Sequence, residues 1–181
     1  FRDLSHLKFF AVMRYTNSYF KELPNYMAKG TNTVEKWLYS WECFCLYSFQ
    51  NPDIYSLLYI EKLGMKPDEV VQHYYKIYEN DLVGLSDDVQ DILRHHSISK
   101  RSAIYIQTAI EEGFMNEEDV EYLADTTMLI WNAMITNYLN MRNDYSEEEA
   151  IERTMDYITK TIMNTIPPHK RSDVHYTYKS K

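Results

Sequence analysis

The chain has 181 residues, of which 45% are apolar and 25% charged, a composition that fits one globular domain and excludes a disordered chain. Its formal net charge of −8 opposes nucleic-acid binding by these residues, because phosphate contacts depend on Lys and Arg. No apolar run reaches the roughly 18–20 residues of a membrane-spanning helix and no signal peptide is visible, so we expect a cytoplasmic protein with no membrane partner.

Hydrophobic periodicity predicts helices along almost the whole chain, and no segment has the pattern of a strand. Residues 4–22 are apolar around most of their circumference, which indicates a helix enclosed by neighbours. Residues 32–50 carry one broad apolar stripe that includes Trp37, Trp41 and Phe44. Shorter helices follow, each beginning with a cap residue or a proline, and cover about 52–63, 67–82, 86–95 and 99–112.

Two long helices close the sequence. Gly113 predicts a left-handed helix stop, after which a helix extends over about 117–142 with an apolar arc wide enough to pack on two neighbours. The last helix, about 147–166, has a ridge of core residues beside a ridge of small and amphipathic residues, which suits close contact with another helix. These patterns predict an all-α bundle of about eight helices in residues 1–166, followed by a loose basic tail in residues 167–181.

Patterns for catalysis or metal binding are scarce. Cys43 and Cys45 lie two residues apart on a predicted helix and point in opposite directions, so they neither bridge each other nor share a metal ion. Cys45 is predicted on the core face and Cys43 opposite it, both as reduced thiols. His95 and His96 diverge in the same way. With no nucleophile motif, Gly-rich phosphate loop or Ser-His-Asp pattern, we expect neither an enzyme nor a bound metal or cofactor.

Three stretches resemble the ligand-binding and dimerisation domain of TetR-family transcriptional regulators. FRDLSHL, at residues 1–7, resembles the junction where the family's recognition helix ends and its regulatory domain begins. AIEEGFMNEED, at residues 109–119, resembles the Gly turn before the penultimate helix. The last two helices, with SEEEAIERTMDYI at residues 146–158, resemble the pair that dimerises as a four-helix bundle.

The resemblance implies a homodimeric repressor domain that binds a small-molecule effector, with a DNA-reading helix-turn-helix that precedes Phe1 and is absent from this chain. DNA is then a partner only through that missing segment. We expect the first helix to transmit the effect of ligand binding, since its start would be connected to the DNA-binding segment. The predicted dimer-interface residues lie on the last two helices and are Leu123, Ile130, Met134, Ala150, Thr154, Tyr157 and Thr161.

Aromatic side chains from several helices form the candidate effector site, since ligand pockets are mostly apolar with a few placed polar groups. The 17 tyrosines supply both kinds of surface. The candidate residues are Phe9, Met13, Thr16, Phe20, Trp37, Trp41, Phe44, Tyr55, Tyr59, Tyr74, Tyr78, Tyr105 and Trp131. Plain core packing is the alternative for each of them. Glu42, beside two tryptophans, either meets a cationic ligand or lies at a solvated rim, and we favour the rim.

Two functions therefore stay open at the level of sequence. The first is an effector-sensing domain whose largely hydrophobic or aromatic ligand triggers DNA release. The second is a helical dimeric protein-interaction domain without a small-molecule effector. A cavity of several hundred cubic ångströms, the usual scale of ligand sites, would favour the sensor, and a filled core would favour the interaction domain.

Overall fold

The computed structural model describes residues 4–61, 67–82, 90, 94–95 and 97–178, and every regular element within them is helical, which confirms the predicted all-α fold. The α-helices of these residues are α1 (Leu4–Tyr15), α2 (Asn17–Met27), α3 (Thr33–Gln50), α4 (Pro52–Tyr59), α5 (Pro67–Ile77), α6 (Ile98–Ile106), α7 (Thr108–Glu111), α8 (Glu117–Leu139) and α9 (Glu147–Thr165). Two short 3₁₀ helices cover Glu79–Leu82 and Pro168–Asp173. The helix predicted over 86–95 lies outside the described residues, apart from three isolated positions.

The third helix forms the centre of the bundle. It contacts α2, α4, α6, α7, α8 and α9. These neighbours cover more of its circumference than the single predicted stripe, so that Glu35 and Cys43 are buried along with the apolar residues. The placement of Cys43 opposite the core was therefore wrong: α3 has no side that is left entirely to solvent at this position.

The predicted helix over residues 4–22 is in fact two helices, α1 and α2, that meet at Thr16. The Thr16 hydroxyl donates to the carbonyl of Met13 at 2.7 Å, a local bond that competes with the regular helical pattern. Its backbone, with φ −79° and ψ −5°, approaches the bridge region. Tyr15 beside the break is 71% exposed, so this part of the chain is less enclosed than its apolar pattern predicted.

The helix stop predicted at Gly113 is confirmed. Gly113 has a φ of +76°, a conformation that costs a residue with a Cβ atom more than it costs glycine. The Phe114 N–H donates to the carbonyl of Ala109 at 2.9 Å, and the Gly113 N–H donates to that of Ile110 at 3.0 Å. These are the two hydrogen bonds of a Schellman motif, and Phe114 is the buried residue that follows it. The stop turns the chain from α7 into α8.

The two terminal helices, α8 and α9, pack against each other and are joined by residues 140–146. Ser146 caps α9 by accepting a hydrogen bond from the Glu149 N–H at 3.2 Å. The predicted core ridge of α9 is confirmed, since all four of its residues are buried; they are Ile151, Met155, Ile158 and Ile162. The neighbouring ridge of small and amphipathic residues is only partly buried: Ala150 and Thr154 are fully buried, whereas Tyr157 is exposed.

The segment after α9 packs along α3 instead of forming the loose tail that the sequence predicted. The Asn32 side-chain amide donates to the Asp173 carbonyl at 3.1 Å. The Tyr176 hydroxyl donates to Glu42 Oε2 at 2.9 Å, and its ring lies edge-on to Tyr39 with centroids 5.0 Å apart. Aperiodic polar sequence gave no sign of this contact, because its partners lie about 140 residues earlier in the chain.

Glu35 on α3 binds both the loop before α3 and the segment that follows α9, and its side chain is only 2% exposed. One carboxylate oxygen accepts from the N–H and the hydroxyl of Thr31, both at 2.8 Å, and the other accepts from the His175 N–H at 2.7 Å. Burial by itself acts to raise the pKa of Glu35, but the hydrogen bonds from Thr31 and His175 outweigh it and lower the pKa. The group is therefore ionised and fully engaged near neutral pH.

Replacing Glu35 by Gln is expected to lower the free energy of unfolding by about 1–3 kcal/mol at neutral pH, because an amide NH₂ then faces buried donors. Since the folded pKa is lowered, the carboxylate stabilises the fold above its unfolded pKa, and this contribution is lost as pH falls through the folded pKa. The free energies of unfolding of Glu35→Gln and wild type are measured with urea from neutral pH to well below 4.5, the ordinary pKa of this carboxyl group. They should become equal as the pH falls.

The matched control is Glu121→Gln, which removes an exposed carboxylate on α8 and should leave the stability difference near zero at every pH. A Glu35→Gln variant as stable as wild type at neutral pH would contradict the role assigned to Glu35.

Candidate functional site

A cavity of about 80 Å³ lies between α2, α3 and α6. With the recess around it, which is open to solvent, the empty space reaches about 650 Å³. The wall is mostly apolar and includes hydroxyl groups and one guanidinium. The residues that line it are Tyr19, Leu23, Met27, Trp37, Ser40, Trp41, Phe44, Ile98, Arg101, Ser102 and Tyr105.

One wall of the cavity is an aromatic surface on α3. Trp37, Trp41 and Phe44 are spaced at i, i+4 and i+7, which places them on one face of the helix. The ring centroids of the two tryptophans are 6.0 Å apart at 72°, and those of Trp41 and Phe44 are 5.6 Å apart at 85°. Edge-to-face packing of this kind fixes each ring against the next, so the wall is preformed.

The facing wall comes from α2 and α6. Tyr19, Leu23 and Met27 are spaced four residues apart on α2 and so form one stripe. On α6, Ser102 accepts a hydrogen bond of 2.6 Å from the Trp37 indole N–H, which joins the two walls at a buried point. The sequence did not indicate this stripe, because the helix breaks at Thr16; one continuous helix was expected to face α3 with Phe9, Met13, Thr16 and Phe20.

The polar groups around the cavity are few, and all but one of the side chains that carry them end in a hydroxyl or an indole N–H. The Ser40 hydroxyl donates to the Trp37 carbonyl at 2.7 Å. Arg101 donates from Nε to the carbonyl of His95, which holds its side chain at the edge of α6. Burial raises the pKa of Tyr19, against an opposing effect of the Arg101 charge, and burial raises the pKa of Tyr105 to about 12. Both phenols therefore stay protonated near neutral pH and are able to donate.

The structure brings four of the predicted site residues to this cavity: Trp37, Trp41, Phe44 and Tyr105. Three more pack on Phe44 without lining the cavity, and they are Tyr55, Tyr59 and Trp131. Trp131 also donates from its indole to Ser48 at 2.9 Å. These three residues form part of the core behind the aromatic wall.

The other predicted site residues lie elsewhere. Met13, Thr16 and Phe20 are buried around the junction of α1 and α2 and do not line the cavity. Phe9, Tyr74 and Tyr78 belong with Phe10 to a second aromatic cluster between α1 and the region of α5. For all six, the alternative of core packing describes their position better than the ligand site does.

The second aromatic cluster attaches α1 to α5. The Phe10 ring lies 5.3 Å from Tyr74 and 6.2 Å from Tyr78 between centroids, and the Arg14 guanidinium lies over Tyr78 at 5.4 Å. The Tyr74 hydroxyl donates to Asp81 at 2.5 Å. The first helix is therefore held by aromatic contacts that are separate from the cavity.

Two tyrosine hydroxyls are buried without a hydrogen-bond partner among the described residues, those of Tyr55 and Tyr75. Burial strongly raises the pKa of Tyr55, with a further increase from Tyr59 and Tyr19. Burial raises the pKa of Tyr75 to about 12, and the Arg101 charge acts against that increase. Both hydroxyls thus lie in a low-dielectric interior, where an unmet donor costs about 1–3 kcal/mol.

Glu42 occupies neither of the two positions considered for it. Its side chain is 14% exposed and accepts a hydrogen bond from Tyr176, and its other oxygen lies 3.9 Å from the Lys29 ammonium. It does not line the cavity. The expected solvated rim was therefore wrong, because the C-terminal segment covers this carboxylate.

The predicted interface residues differ in the surface that they offer. Leu123, Ala150 and Thr154 have no exposed area in the single chain, so they contact only their own chain in this conformation. Tyr157 is exposed and Thr161 partly so. Ile130 and Met134 are also partly exposed. A charge placed at Thr154 would disrupt the core of one chain and would not test an interface.

The described residues offer little for metal or thiol chemistry. No group of three or more His, Cys, Asp and Glu side chains among them is arranged to hold a metal ion. Burial raises the pKa of Cys43 to about 12 and also raises that of Cys45, so both thiols stay protonated and unreactive near neutral pH. In the same part of the chain, every helix is too short or too polar to cross a lipid bilayer.

Comparison with protein-family models, with curated proteins and with solved structures finds no match to this chain. The interpretation of the site therefore depends on its own geometry. That geometry is a small, partly open cavity with an aromatic wall on α3, one guanidinium on α6 and several hydroxyl groups.

Replacing Ser102 by Ala is expected to lower the free energy of unfolding by about 1–2 kcal/mol, because the buried indole N–H of Trp37 loses its acceptor. Thermal and urea unfolding measure the loss. In a double-mutant cycle with Trp37→Phe, which removes the donor as well, the second substitution should cost less in the Ser102→Ala background than in wild type. Ser18→Ala, at an exposed position on α2, is the control. Strictly additive losses would contradict this contact.

Proposed function

We propose that this chain is the effector-sensing regulatory domain of a TetR-like transcriptional repressor. The observation that carries the proposal is the cavity between α2, α3 and α6, whose apolar wall holds a few polar groups, as small-molecule sites do. The effector is a small, largely aromatic molecule that lies against Trp37, Trp41 and Phe44. Its binding favours release of DNA by the helix-turn-helix that the resemblance implies.

The size of the cavity indicates how an effector acts. At about 80 Å³ it is smaller than the roughly 300–1,000 Å³ of typical ligand sites, yet larger than a packing defect. A ligand larger than one ring therefore requires side chains such as Leu23 and Met27 to move aside. Such a ligand binds an expanded arrangement of α2 and α3 more tightly than the contracted one, and this difference in affinity shifts the population.

The connection between α2 and α1 allows a displacement at the cavity to reach α1. Tyr19 lies on α2 within the cavity wall, and Thr16 separates this helix from α1. Outward displacement of α2 changes the angle at Thr16 and moves α1 together with α5, because the aromatic contacts of Phe10 join those two helices. In the intact regulator, α1 would pass this change to the DNA reader.

Homodimerisation through the terminal helices is part of the proposal. Tyr122 and Leu129 lie two turns apart on α8 and are 61% and 67% exposed, which is high for large apolar residues. Tyr157 on α9 is also exposed. Together with the partly exposed Ile130 and Thr161, they offer the apolar surface of α8 and α9 to a second copy. The same surface supports the alternative of a protein-interaction domain.

Replacing Trp41 by Leu is expected to abolish effector binding, because the substitution removes the central ring of the aromatic wall. A thermal-shift screen of small aromatic compounds identifies ligands of the wild type, and their shifts are then measured for the variant. Phe49→Leu is the matched control, since Phe49 is buried on α3 but packs on Tyr138 away from the cavity. Equal shifts in Trp41→Leu and wild type would place the ligand elsewhere.

Replacing Leu129 by Glu is expected to convert a wild-type dimer to a monomer, because the interface would bury an unpaired charge. Sedimentation velocity measures the mass, and circular dichroism checks that the variant is folded. The control is Ile77→Glu, on an exposed residue of α5. A monomeric wild type would count against both the sensor and the dimeric interaction domain, and an unchanged dimer in Leu129→Glu would place the interface on another surface.

A further inference from the structure

The C-terminal segment reaches the turn in which the α2 wall of the cavity ends. This segment, the strap, covers residues 167–178 and follows α9. The turn, residues 28–32, joins α2 to α3, and Met27 directly before it lines the cavity. In the turn, the Asn32 side-chain amide donates to the strap carbonyl of Asp173 at 3.1 Å. The strap is therefore attached at the point where the α2 wall is joined to the α3 wall.

Glu35 joins the strap to the turn through a single carboxylate. Its Oε2 accepts from the N–H and the hydroxyl of Thr31 in the turn, and its Oε1 accepts from the His175 N–H in the strap. The residue is buried, so its bonds to Thr31 form in a low-dielectric interior, where they are stronger than in water. Detachment of the strap would let water reach this carboxylate and weaken the bonds that hold the turn.

Glu42, two turns further along α3, has the same double role. Its Oε2 accepts from the Tyr176 hydroxyl at 2.9 Å, and its Oε1 lies 3.9 Å from the Lys29 ammonium. That ammonium also lies over the ring of Tyr26 on α2, 3.7 Å from the ring centroid. An ion pair with a half-exposed lysine contributes little when both side chains must be ordered to form it. The bond from Tyr176 orients the carboxylate, so the strap strengthens the hold on Lys29.

We propose that the strap controls how far α2 separates from α3, and thereby sets the largest ligand that the cavity admits. With the strap in place the turn is held, and the cavity keeps its contracted volume of about 80 Å³. Detachment removes the second partner of Glu35 and of Glu42, which loosens the turn and allows Met27 to move outward. The movement of α2 is a property of the chain without a ligand, and only its consequence for ligand size rests on the proposed function.

The thiol of Cys43 reports the separation of α2 from α3. Cys43 is fully buried on α3. It lies between Ser40, which lines the cavity, and Tyr47, whose ring centroid is 5.9 Å from that of Tyr19 on α2. Positions spaced at i, i+3 and i+7 share one face of a helix, so Cys43 faces α2.

The thiol of Cys45 is an internal reference on another face of α3. Cys45 is equally buried and lies one turn before Phe49, whose ring packs on Tyr138 of α8. Opening of α2 alone therefore exposes Cys43 and leaves Cys45 covered, whereas unfolding of the whole chain exposes both.

The test variant combines Asn32→Asp with Tyr176→Phe. The Asn32→Asp substitution retains the side-chain oxygen that caps α3, which accepts from the Glu35 N–H at 2.9 Å, and loses the amide donor to Asp173. The Tyr176→Phe substitution retains the ring and loses only the hydroxyl that donates to Glu42. Both substitutions thus weaken the attachment of the strap in the full chain without removing it.

The rates at which N-ethylmaleimide labels the two thiols are measured without a ligand and assigned by peptide mass spectrometry. Labelling of Cys43 should be about tenfold faster in the variant than in wild type, since hydrogen bonds to charged groups shift an equilibrium by about this factor. Labelling of Cys45 should stay within about twofold. The control is Tyr122→Phe, which removes an exposed hydroxyl on α8 and should change neither rate.

Either of two results would overturn the proposal: an unchanged rate for Cys43, or equal acceleration of Cys43 and Cys45, which indicates that the whole chain has become less stable. If the double variant does not fold, Tyr176→Phe alone replaces it and should accelerate the labelling of Cys43 by a smaller factor in the same direction.

Phenol and 2-naphthol, with one ring and two, test the consequence for ligand size. The strap and a ligand too large for the contracted cavity are coupled reciprocally, so a loosened strap raises the affinity for that ligand. Isothermal titration calorimetry should show 2-naphthol binding about tenfold more tightly to the double variant than to wild type, and phenol binding within about twofold. Equal affinity for 2-naphthol, despite faster labelling of Cys43, would overturn the control of ligand size.

The two measurements also separate this inference from the proposed function. Binding that Trp41→Leu does not alter, or no binding of either probe at millimolar concentration, would count against the cavity as an effector site. The labelling rates of Cys43 and Cys45 would still decide whether the strap holds α2 against α3.

Discussion

The enclosure of α3 is the constraint on which the rest of the structure depends. Since other helices and the C-terminal segment surround it, each of its faces must suit a different neighbour. Trp37, Trp41 and Phe44 form the wall of the cavity, while Glu35 and Glu42 hold the residues that follow α9. A helix with this role needs both apolar and polar residues at buried positions, which explains why its periodicity indicated only one of its contacts.

Buried polar groups determine how the neighbours are placed around α3. Trp37 bonds to Ser102 on α6, Ser48 accepts from Trp131 on α8, and Thr33 donates twice to Glu112 at the end of α7. Hydrogen bonds in a low-dielectric interior are costly to leave unmade, so they select one arrangement among several that would bury similar apolar area. The apolar core stabilises the bundle, and these bonds fix its geometry.

The two walls of the cavity are connected to different parts of the chain. Its α3 wall is held by edge-to-face rings, and its α2 wall, which consists of Leu23, Met27 and Tyr19, packs on α3 through the Tyr19 ring, 5.8 Å from that of Phe44 between centroids. The α2 helix is also connected to α1 through the break at Thr16. Under the proposed function, an effector that displaces α2 from α3 therefore acts on α1 as well.

The sequence by itself determined the all-helical fold, the stop at Gly113, the core ridge of α9 and the tryptophan stripe, because each depends on spacing within one element or on a single residue's backbone preference. It did not determine the break at Thr16 or the faces on which Cys43 and Phe9 lie. Only the tertiary structure placed Arg101 at the cavity and the C-terminal segment on Glu35, since these contacts join residues that are far apart in the chain. A periodic pattern shows that a face is buried, but which partner buries it is decided by the packing of the whole chain.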